Sequence, residues 1–588
     1  MKKRLILLIV TVMLCTMSNL FLSGCNNKDK AKDLPDKEVV KRYIWYELPE
    51  EEKARDAYFE EKTNYKVKHI KIPWENYDAK LLIDIAADKA PDLVYVSDEK
   101  WPMLAVKNMV REVDSLLPSN SPFWQNADAM NVYMWGGKHY GIARRIEPIL
   151  LWYNKTMFND NDVKTPREYW EEGNWNWNTF IQAAKALTGG SAGENGLLER
   201  YGFGTWRYDA MLMSNGGNFF EYTADGNINQ LIDSKESMGA FQLIEDGACK
   251  DKWLNPNGMF SWINDFKEGK LAMTAEAAFI TWNGVITNVD FEKDCVPFPL
   301  GPDNKEQIYP GRCDAWGICA KAKNVEGALK YIESAFEYDL NNEETSDAKK
   351  FMTPEQYAVR EEMYKKPMTV SLYMGVGNIR EKQFDLLNEL LYNNTPVATA
   401  VAAAKPVWVN QVALCLKDNK MPEVKPFTEQ PAENFDSDTA RFVSADNDGN
   451  KLGVLEASVI SDGDMAINGS SMLIKTDPDQ AGAILLRSDP SKLKLPGYHS
   501  YTVSFKYKLS ADMTEDSYIS VTMRPVDGLL TGKAMGWFDL KGKKAGEVYE
   551  FKENIMVTQE IENLTLLLLG AGLENVSIDD IQITLAKD

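Results

Sequence analysis

The chain has 588 residues, with 66 Lys+Arg against 87 Asp+Glu, a net charge of −21 and a pI near 4.9; that balance argues against a sequence-independent nucleic-acid binder, which needs clustered cations for phosphate. At 44% hydrophobic and 26% charged the composition is that of a globular protein rather than a disordered one, and the length suggests about three to five compact units. Sixteen Trp, 25 Tyr and 23 Phe accompany only three histidines (His69, His139, His499), so His-based metal or triad chemistry has little material and the balance leans toward binding.

Lys2, Lys3 and Arg4 precede an apolar run from Leu5 to Leu14, and Leu22-Ser23-Gly24-Cys25 follows. A charged start, a short apolar core and small residues before a break read as an export signal over 1–24, too short for a good spanning helix. The Leu-Ser-Gly-Cys ending resembles the lipobox of bacterial lipoproteins, which implies cleavage before Cys25, a palmitate-type lipid anchor on its sulfur and a place on the outer face of the cell membrane. Two or more acyl chains anchor stably where one binds only marginally. Residues 25–37 are polar and aromatic-free, as a flexible tether requires. Without residues 1–24 the balance is 63 cations against 87 anions, a net of −24. Five cysteines then remain (Cys249, Cys295, Cys313, Cys319, Cys415), an odd number without a Cys-x-x-Cys pair. Export permits a bridge such as Cys295–Cys313; buried free thiols are the other reading.

From about residue 38 to 425 strand-like runs alternate with helical periods. Tyr43-Ile44-Trp45 reads as a strand, Glu50 to Glu61 as a helix and Val67 to Ile72 as a strand. A helix with Leu81, Leu82, Ile85 and Ala86 on one face follows, then the strand Leu93-Val94-Tyr95-Val96. Parallel sheets bind ligands at the carboxyl ends of their strands. Past those ends lie Tyr46-Glu47, Pro73-Trp74 and Ser97-Asp98, with Trp101 close behind. Carboxylates take paired sugar hydroxyls and an indole face covers the apolar side of a sugar ring; Trp45 and Trp74 filling the sheet–helix core is the competing reading. Fifteen of the 16 tryptophans precede Pro426.

Five segments carry a resemblance in order: Ala90-Pro91-Asp92-Leu93-Val94, then Trp135-Gly136-Gly137-Lys138-His139-Tyr140-Gly141-Ile142, Leu151-Trp152-Tyr153-Asn154-Lys155, Trp175-Asn176-Trp177-Asn178-Thr179-Phe180, and Gly269-Lys270-Leu271-Ala272-Met273 leading to Trp282. With Trp316-Gly317-Ile318 before a helix over 325–338, the region from about Lys41 to about Leu416 resembles the extracellular solute-binding proteins of ABC importers, family 1. The resemblance implies a type II periplasmic-binding-protein-like fold of two α/β lobes, with the solute, in many relatives a mono- or oligosaccharide, held in the cleft between them and delivered to permease subunits. The chain crosses between lobes more than once. On that basis the ligand residues are Trp45, Asp98 and Trp101 from one lobe, Trp206, Tyr208, Glu276 and Trp282 from the other, and Arg144, Asp314 and Trp316 near the crossovers. Trp282 is the aromatic platform that relatives often place there. Arg144 and Arg145 face the cleft, which would suit an acidic sugar, or form a salt-bridged pair at the hinge.

After Lys420-Met421-Pro422-Glu423-Val424-Lys425-Pro426, a Pro-bearing linker, residues 426–588 show short alternating segments. Tyr501, Val503, Phe505, Tyr507 and Leu509 alternate with polar residues, Leu564, Leu566 and Leu568 repeat the pattern, and the strand from Val576 to Leu585 slips phase at Asp579-Asp580, which predicts a bulge. Several such strands predict an all-β sandwich. Glu433-Asn434-Phe435-Asp436 and Val576-Ser577-Ile578-Asp579-Asp580-Ile581 resemble the terminal strands of jelly-roll, galactose-binding-like or carbohydrate-binding modules, which implies a structural calcium on Asp436 and Asp580; carboxylates of a turn and a bulge without metal are the alternative. Asp446-Asn447-Asp448-Gly449 lacks EF-hand spacing and reads as a turn.

No Gly-x-Ser-x-Gly, His-Glu-x-x-His or P-loop is present, and Gly202-Phe203-Gly204 and Gly375-Val376-Gly377 lack the third glycine of a dinucleotide loop. The chain is therefore read as a noncatalytic lipoprotein of Gram-positive type that binds a carbohydrate for import. A cell-surface glycan adhesin and a glycoside hydrolase, which needs only two carboxylates, are the alternatives.

Overall fold

The computed structural model describes residues 38–97, 101–193, 196–223, 225–281, 285–343, 346–371, 379–417, 425–428, 431–436, 441–443, 454–477, 483–489, 491–513, 517–525, 536–557 and 564–586. The predicted signal and tether, residues 420–424 of the predicted linker and the predicted turn at Asp446 lie outside them.

The first lobe follows the predicted β-α-β-α-β order: β1 (Glu38–Ile44), α1 (Glu50–Lys62), β2 (Tyr65–Lys71), α2 (Tyr77–Ala86) and β3 (Leu93–Ser97), with β1 parallel to both β2 and β3. The Pro-Asp step before β3 has a packing role. Asp92 accepts hydrogen bonds from Lys41 N at 2.8 Å and from Lys323 N and Asn324 N at 2.9 and 2.8 Å, tying β1 to the entry of the late helix α7 (Val325–Asn341). α1 and α7 share one face of the sheet, with Phe59 edge-on to Tyr331 at 5.1 Å. Between sheet and helices Arg42 is buried, donating to Glu52 at 2.7 Å and Tyr331 at 3.1 Å.

Two strands carry the chain between lobes. β4 (Ile142–Asn154) pairs through residues 142–148 with β8 (Tyr309–Ile318), which itself pairs with β3. From Ile149 to Asn154, β4 instead pairs with β6 (Leu271–Ala277) and β7 (Lys293–Pro297) of the second lobe. The result is one 10-stranded sheet in the order β2-β1-β3-β8-β4-β6-β5, where β5 is Leu198–Phe203, ending on the short strand Gly189–Ala192. The hinge is thus the middle of β4, near Ile146–Pro148.

In the second lobe α4 (Trp177–Leu187) begins at Asn176, whose side chain accepts from Asn178 N at 2.9 Å. That capping satisfies an otherwise orphaned amide and explains the Trp-Asn-Trp-Asn-Thr segment. Gly202 of β5 lies so close to α4 that a Cβ there would collide with the carbonyl oxygen of Ala184, so the Gly-Phe-Gly run serves packing. The Trp-Gly-Gly-Lys segment closes a hairpin with both glycines at positive φ, 59° and 72°. The late helices α8 (Pro354–Met363), α9 (Ile379–Leu391) and α10 (Val397–Lys417) complete this lobe.

Residues beyond 425 form two antiparallel sheets sharing one core. One runs β9 (Val454–Ile460), β10 (Ser471–Thr476), β17 (Asn575–Leu585), β12 (His499–Leu509), β15 (Val548–Val557). The other runs Phe442–Val443, β11 (Ala483–Ser488), β16 (Leu564–Ala571), β13 (Tyr518–Pro525), β14 (Gly536–Asp539). Tyr501, Val503, Phe505, Tyr507 and Leu509 all point into the core, as their alternation predicts, and Phe505 stacks on Phe551 at 4.5 Å. The predicted slip in β17 is there: pairing jumps from Ser504–Gln582 to Lys506–Asp579, with Asp580 at φ 50°. All five remaining cysteines are free thiols, so the Cys295–Cys313 bridge does not form.

Candidate ligand-binding cleft

Where β1 runs out at the hinge end of the first lobe, the half-buried Trp45 ring lies 4.5 Å from Tyr95, 4.9 Å from Trp74 and 4.9 Å from Tyr46. Tyr95 and Asp314 share a face because β3 and β8 pair Tyr95 with Trp316 and Ser97 with Asp314. The Tyr95 hydroxyl donates to the exposed Asp314 carboxylate. Arg312 donates to both Asp314 oxygens, at 2.7 and 3.0 Å, and to the Tyr95 hydroxyl at 3.1 Å. This wall offers aromatic surface and a carboxylate oriented by the Nη2 of Arg312.

The facing wall belongs to the second lobe. A cavity of about 410 Å³ is lined by Trp206, Trp262, Glu276, Phe279, Ile280 and Phe384, among others, within the ~300–1,000 Å³ of small-molecule sites. Trp206 follows β5, and its indole N–H donates to Glu276 Oε2 at 2.9 Å. The other oxygen accepts from the backbone N–H of Ala277 at 2.8 Å, so the Glu276 side chain, 1% exposed, is held by two neutral donors. Behind Trp206, Arg207 stacks on the indole at 4.8 Å and pairs with the buried Asp209 at 2.9 Å. Burial raises the Asp209 carboxyl pKa even against Arg207. Phe279, just past β6, receives Arg312 over its ring at 4.9 Å and so joins the two walls.

On the α1/α7 flank of the hinge a second cavity of about 360 Å³ separates those helices from the short helix Asp347–Phe351 and α8. Glu147 of β4 accepts from Arg145 at 2.8 Å, from Arg360 at 2.8 and 3.1 Å and from Tyr364 at 2.7 Å. Burial alone would raise its carboxyl; Arg145, Arg360 and Tyr364 reverse the sign and hold it at about 2. Arg144 pairs with Asp339 at 2.9 Å, and burial followed by repulsion from Arg145 lowers its pKa.

Of the residues singled out in the sequence, Trp45 and Asp314 thus lie on the first-lobe wall and Trp206 and Glu276 on the second-lobe wall. Three others are corrected. Trp101, 0% exposed, packs on Tyr133 and Tyr222, both at 5.8 Å, because its ring turns into the core as the helix α3 (Trp101–Val106) starts. Tyr208 is likewise core, in the first turn of α5 (Tyr208–Ser214). Trp316 lies beneath α7, with Arg42 over its ring at 4.4 Å and Tyr331 edge-on at 5.6 Å. Arg144 and Arg145 lie at the hinge, Arg144 paired with Asp339 and Arg145 with Glu147, which it shares with Arg360. Asp98 and Trp282 lie outside the described residues. Tyr95, Arg312, Phe279, Trp262 and Phe384 were not read as site residues from the sequence. Their spacing is that of ordinary strand and helix residues, and they reach the cleft through the pairing of β3 with β8 and of β6 with β4 and the packing of α6 (Gly258–Lys267) and α9.

In the β-rich region Asp580 is occupied by Lys506 at 2.6 Å and Asp436 accepts from Ser470 N at 2.7 Å. Among the described residues no three His, Cys, Asp or Glu side chains are grouped to hold a metal. With an ammonium on Asp580, the residues present do not fit the calcium site that the resemblance implies.

The sequence profile of the bacterial extracellular solute-binding proteins matches residues 43–353, and the chain belongs to that family. It is 21% identical over 364 residues, 59% of this chain and 80% of the relative, to a galactooligosaccharide-binding protein of Bacillus subtilis (strain 168). Among solved structures it is similar to an ABC substrate-binding protein of Listeria monocytogenes in complex with cycloalternan, at TM-score 0.53 and 18% identity over 64% of this chain and 100% of that one. A solute-binding protein of Thermotoga lettingae bound with α-D-tagatose matches at TM-score 0.50 and 17% identity, with the same coverage of 64% and 100%. At such identities the structural likeness speaks for the two-lobed α/β fold. The family and these neighbours are binding proteins rather than enzymes.

Proposed function

We propose that this chain is a lipoprotein anchored on the extracellular face of the cell membrane that captures a carbohydrate, most simply an oligosaccharide, between its lobes and delivers it to the permease of an ABC importer. The observation that carries this reading is the pair of opposed walls: Trp45, Tyr95 and Asp314 on one lobe, Trp206, Glu276 and Phe279 on the other, joined by two crossing strands. Aromatic faces with carboxylate acceptors suit the two faces of a sugar ring. The carbohydrates named for the B. subtilis, L. monocytogenes and T. lettingae relatives support it. Converting a mostly open population to a mostly closed one, from about 1:99 to 99:1, requires a ligand that prefers the closed state roughly 10⁴-fold, hence contacts from both lobes.

The anchor of this reading is Cys25, with a tether over 25–37, the two-lobed domain over 38–425 and a jelly-roll module over 426–588. Calorimetric titration of the mature protein with a panel of oligosaccharides tests the ligand. Saturable binding without release of reducing sugar is expected, and appreciable hydrolysis would refute the noncatalytic role. Cys25→Ser should free the protein from the membrane fraction; unchanged membrane association would refute the lipid anchor.

A further inference from the structure

The geometry points to a cleft selective for uncharged saccharides over anionic ones, with the Glu276 carboxylate as the group that rejects the anion; this deepens, and rests on, the carbohydrate reading above. Among the described side chains, the arginines named around the cleft and hinge each have a carboxylate partner: Arg312 with Asp314, Arg145 and Arg360 with Glu147, Arg144 with Asp339, and Arg207 with Asp209. The positive charges that would attract a uronate or a sugar phosphate are therefore already paired with carboxylates within the protein. Glu276 is the opposite case. It is buried, lines the second-lobe cavity, and has no cation within ion-pair distance among the described residues; its oxygens are held only by Trp206 Nε1 and Ala277 N.

An ionised carboxylate has about four acceptor positions, and two are filled here. The remaining ones suit hydroxyl donors, which every neutral hexose presents. A ligand carboxylate entering the same cavity is brought beside the Glu276 carboxyl group among Trp206, Phe279, Ile280 and Phe384, with no cation within ion-pair distance among the described residues. Like charges about 5 Å apart at an effective dielectric of about 20 correspond to more than roughly 100-fold in affinity.

The test is isothermal titration of the mature wild-type protein with galactotriose, mannotriose and maltotriose, each alongside its derivative carrying C6 carboxylates in place of the hydroxymethyl groups. A trisaccharide that binds should outbind its oxidised partner by at least about 100-fold. The same pairs are then run on Glu276→Gln, which keeps one acceptor oxygen and removes the charge, and the gap should narrow by at least about tenfold. An oxidised partner binding within tenfold of its neutral parent overturns the selectivity while leaving the carbohydrate reading intact. A gap unchanged in a folded Glu276→Gln protein overturns Glu276 as its origin. Should Glu276→Gln fail to fold, the wild-type comparison alone decides the selectivity. Binding of none of the six compounds overturns the carbohydrate reading itself, and this inference with it.

Discussion

Replacing Glu147 by Gln at the hinge removes one buried negative charge and leaves the Arg145 and Arg360 guanidinium groups without their shared counter-ion. Breaking a fully buried pair costs about 3–5 kcal/mol. Here 27% of the Glu147 side chain and 30% of that of Arg145 remain accessible, against 5% for Arg360, so solvent screens part of the loss and about 2–3 kcal/mol is expected. The pKa gives a consistent scale. A drop from 4.5 to about 2 corresponds to roughly 3 kcal/mol before screening. Because the folded value is depressed, this stabilisation is complete above about pH 4.5 and disappears as pH falls toward 2. Differential scanning calorimetry at a series of pH values should therefore show Glu147→Gln melting about 3 °C below wild type at pH 7, with the two melting temperatures converging on acidification. A Tm difference that is absent at pH 7, or that persists undiminished down to pH 3, would refute the assignment of Glu147 as the charge that holds the hinge arginines.

Trp206→Ala removes a half-buried ring from the second-lobe wall and should weaken ligand binding by about 10–100-fold in calorimetric titration, with Tm within about 2 °C of wild type; affinity within twofold would mean this wall is not the platform. Gly202→Ala places a Cβ against the Ala184 carbonyl and should destabilise the two-lobed domain by about 3 kcal/mol in urea unfolding. In the β-rich region, burial and then the negative charges of Asp580 and Asp436 push Asp579 up to about 6, against the Asp580 backbone N–H. With the folded pKa above its ordinary 3.8, stability is highest below about pH 4 and falls as pH rises through 6. Asp579→Asn should raise the Tm of that region at pH 7, by up to about 3 kcal/mol of stability, with the gain vanishing near pH 4.

Alternation and capping are local, and they were legible. The strand with Tyr501 to Leu509 inward, the bulge at Asp579-Asp580, the Asn176 cap and the β-α-β-α-β opening all follow from period and turn chemistry, because each is decided by neighbours within a few residues. The two-lobed plan was legible from the order of its motifs. Which tryptophans face a cleft was not: Trp101 and Trp206 have the same chemistry and similar surroundings in the chain, yet one is packed against Tyr133 and Tyr222 and the other borders the cavity. That difference arises from long-range packing: Trp101 follows β3, which pairs with β8, whereas Trp206 follows β5, which pairs with β6. The same holds for charge. The sequence by itself determined an acidic, aromatic-rich chain of alternating α/β architecture. Only the tertiary structure decided that Arg144, Arg145, Arg312 and Arg360 neutralise carboxylates inside the protein while Glu276 is buried with no counter-charge among the described residues, because ion pairing is set by distance in space and not by position along the chain.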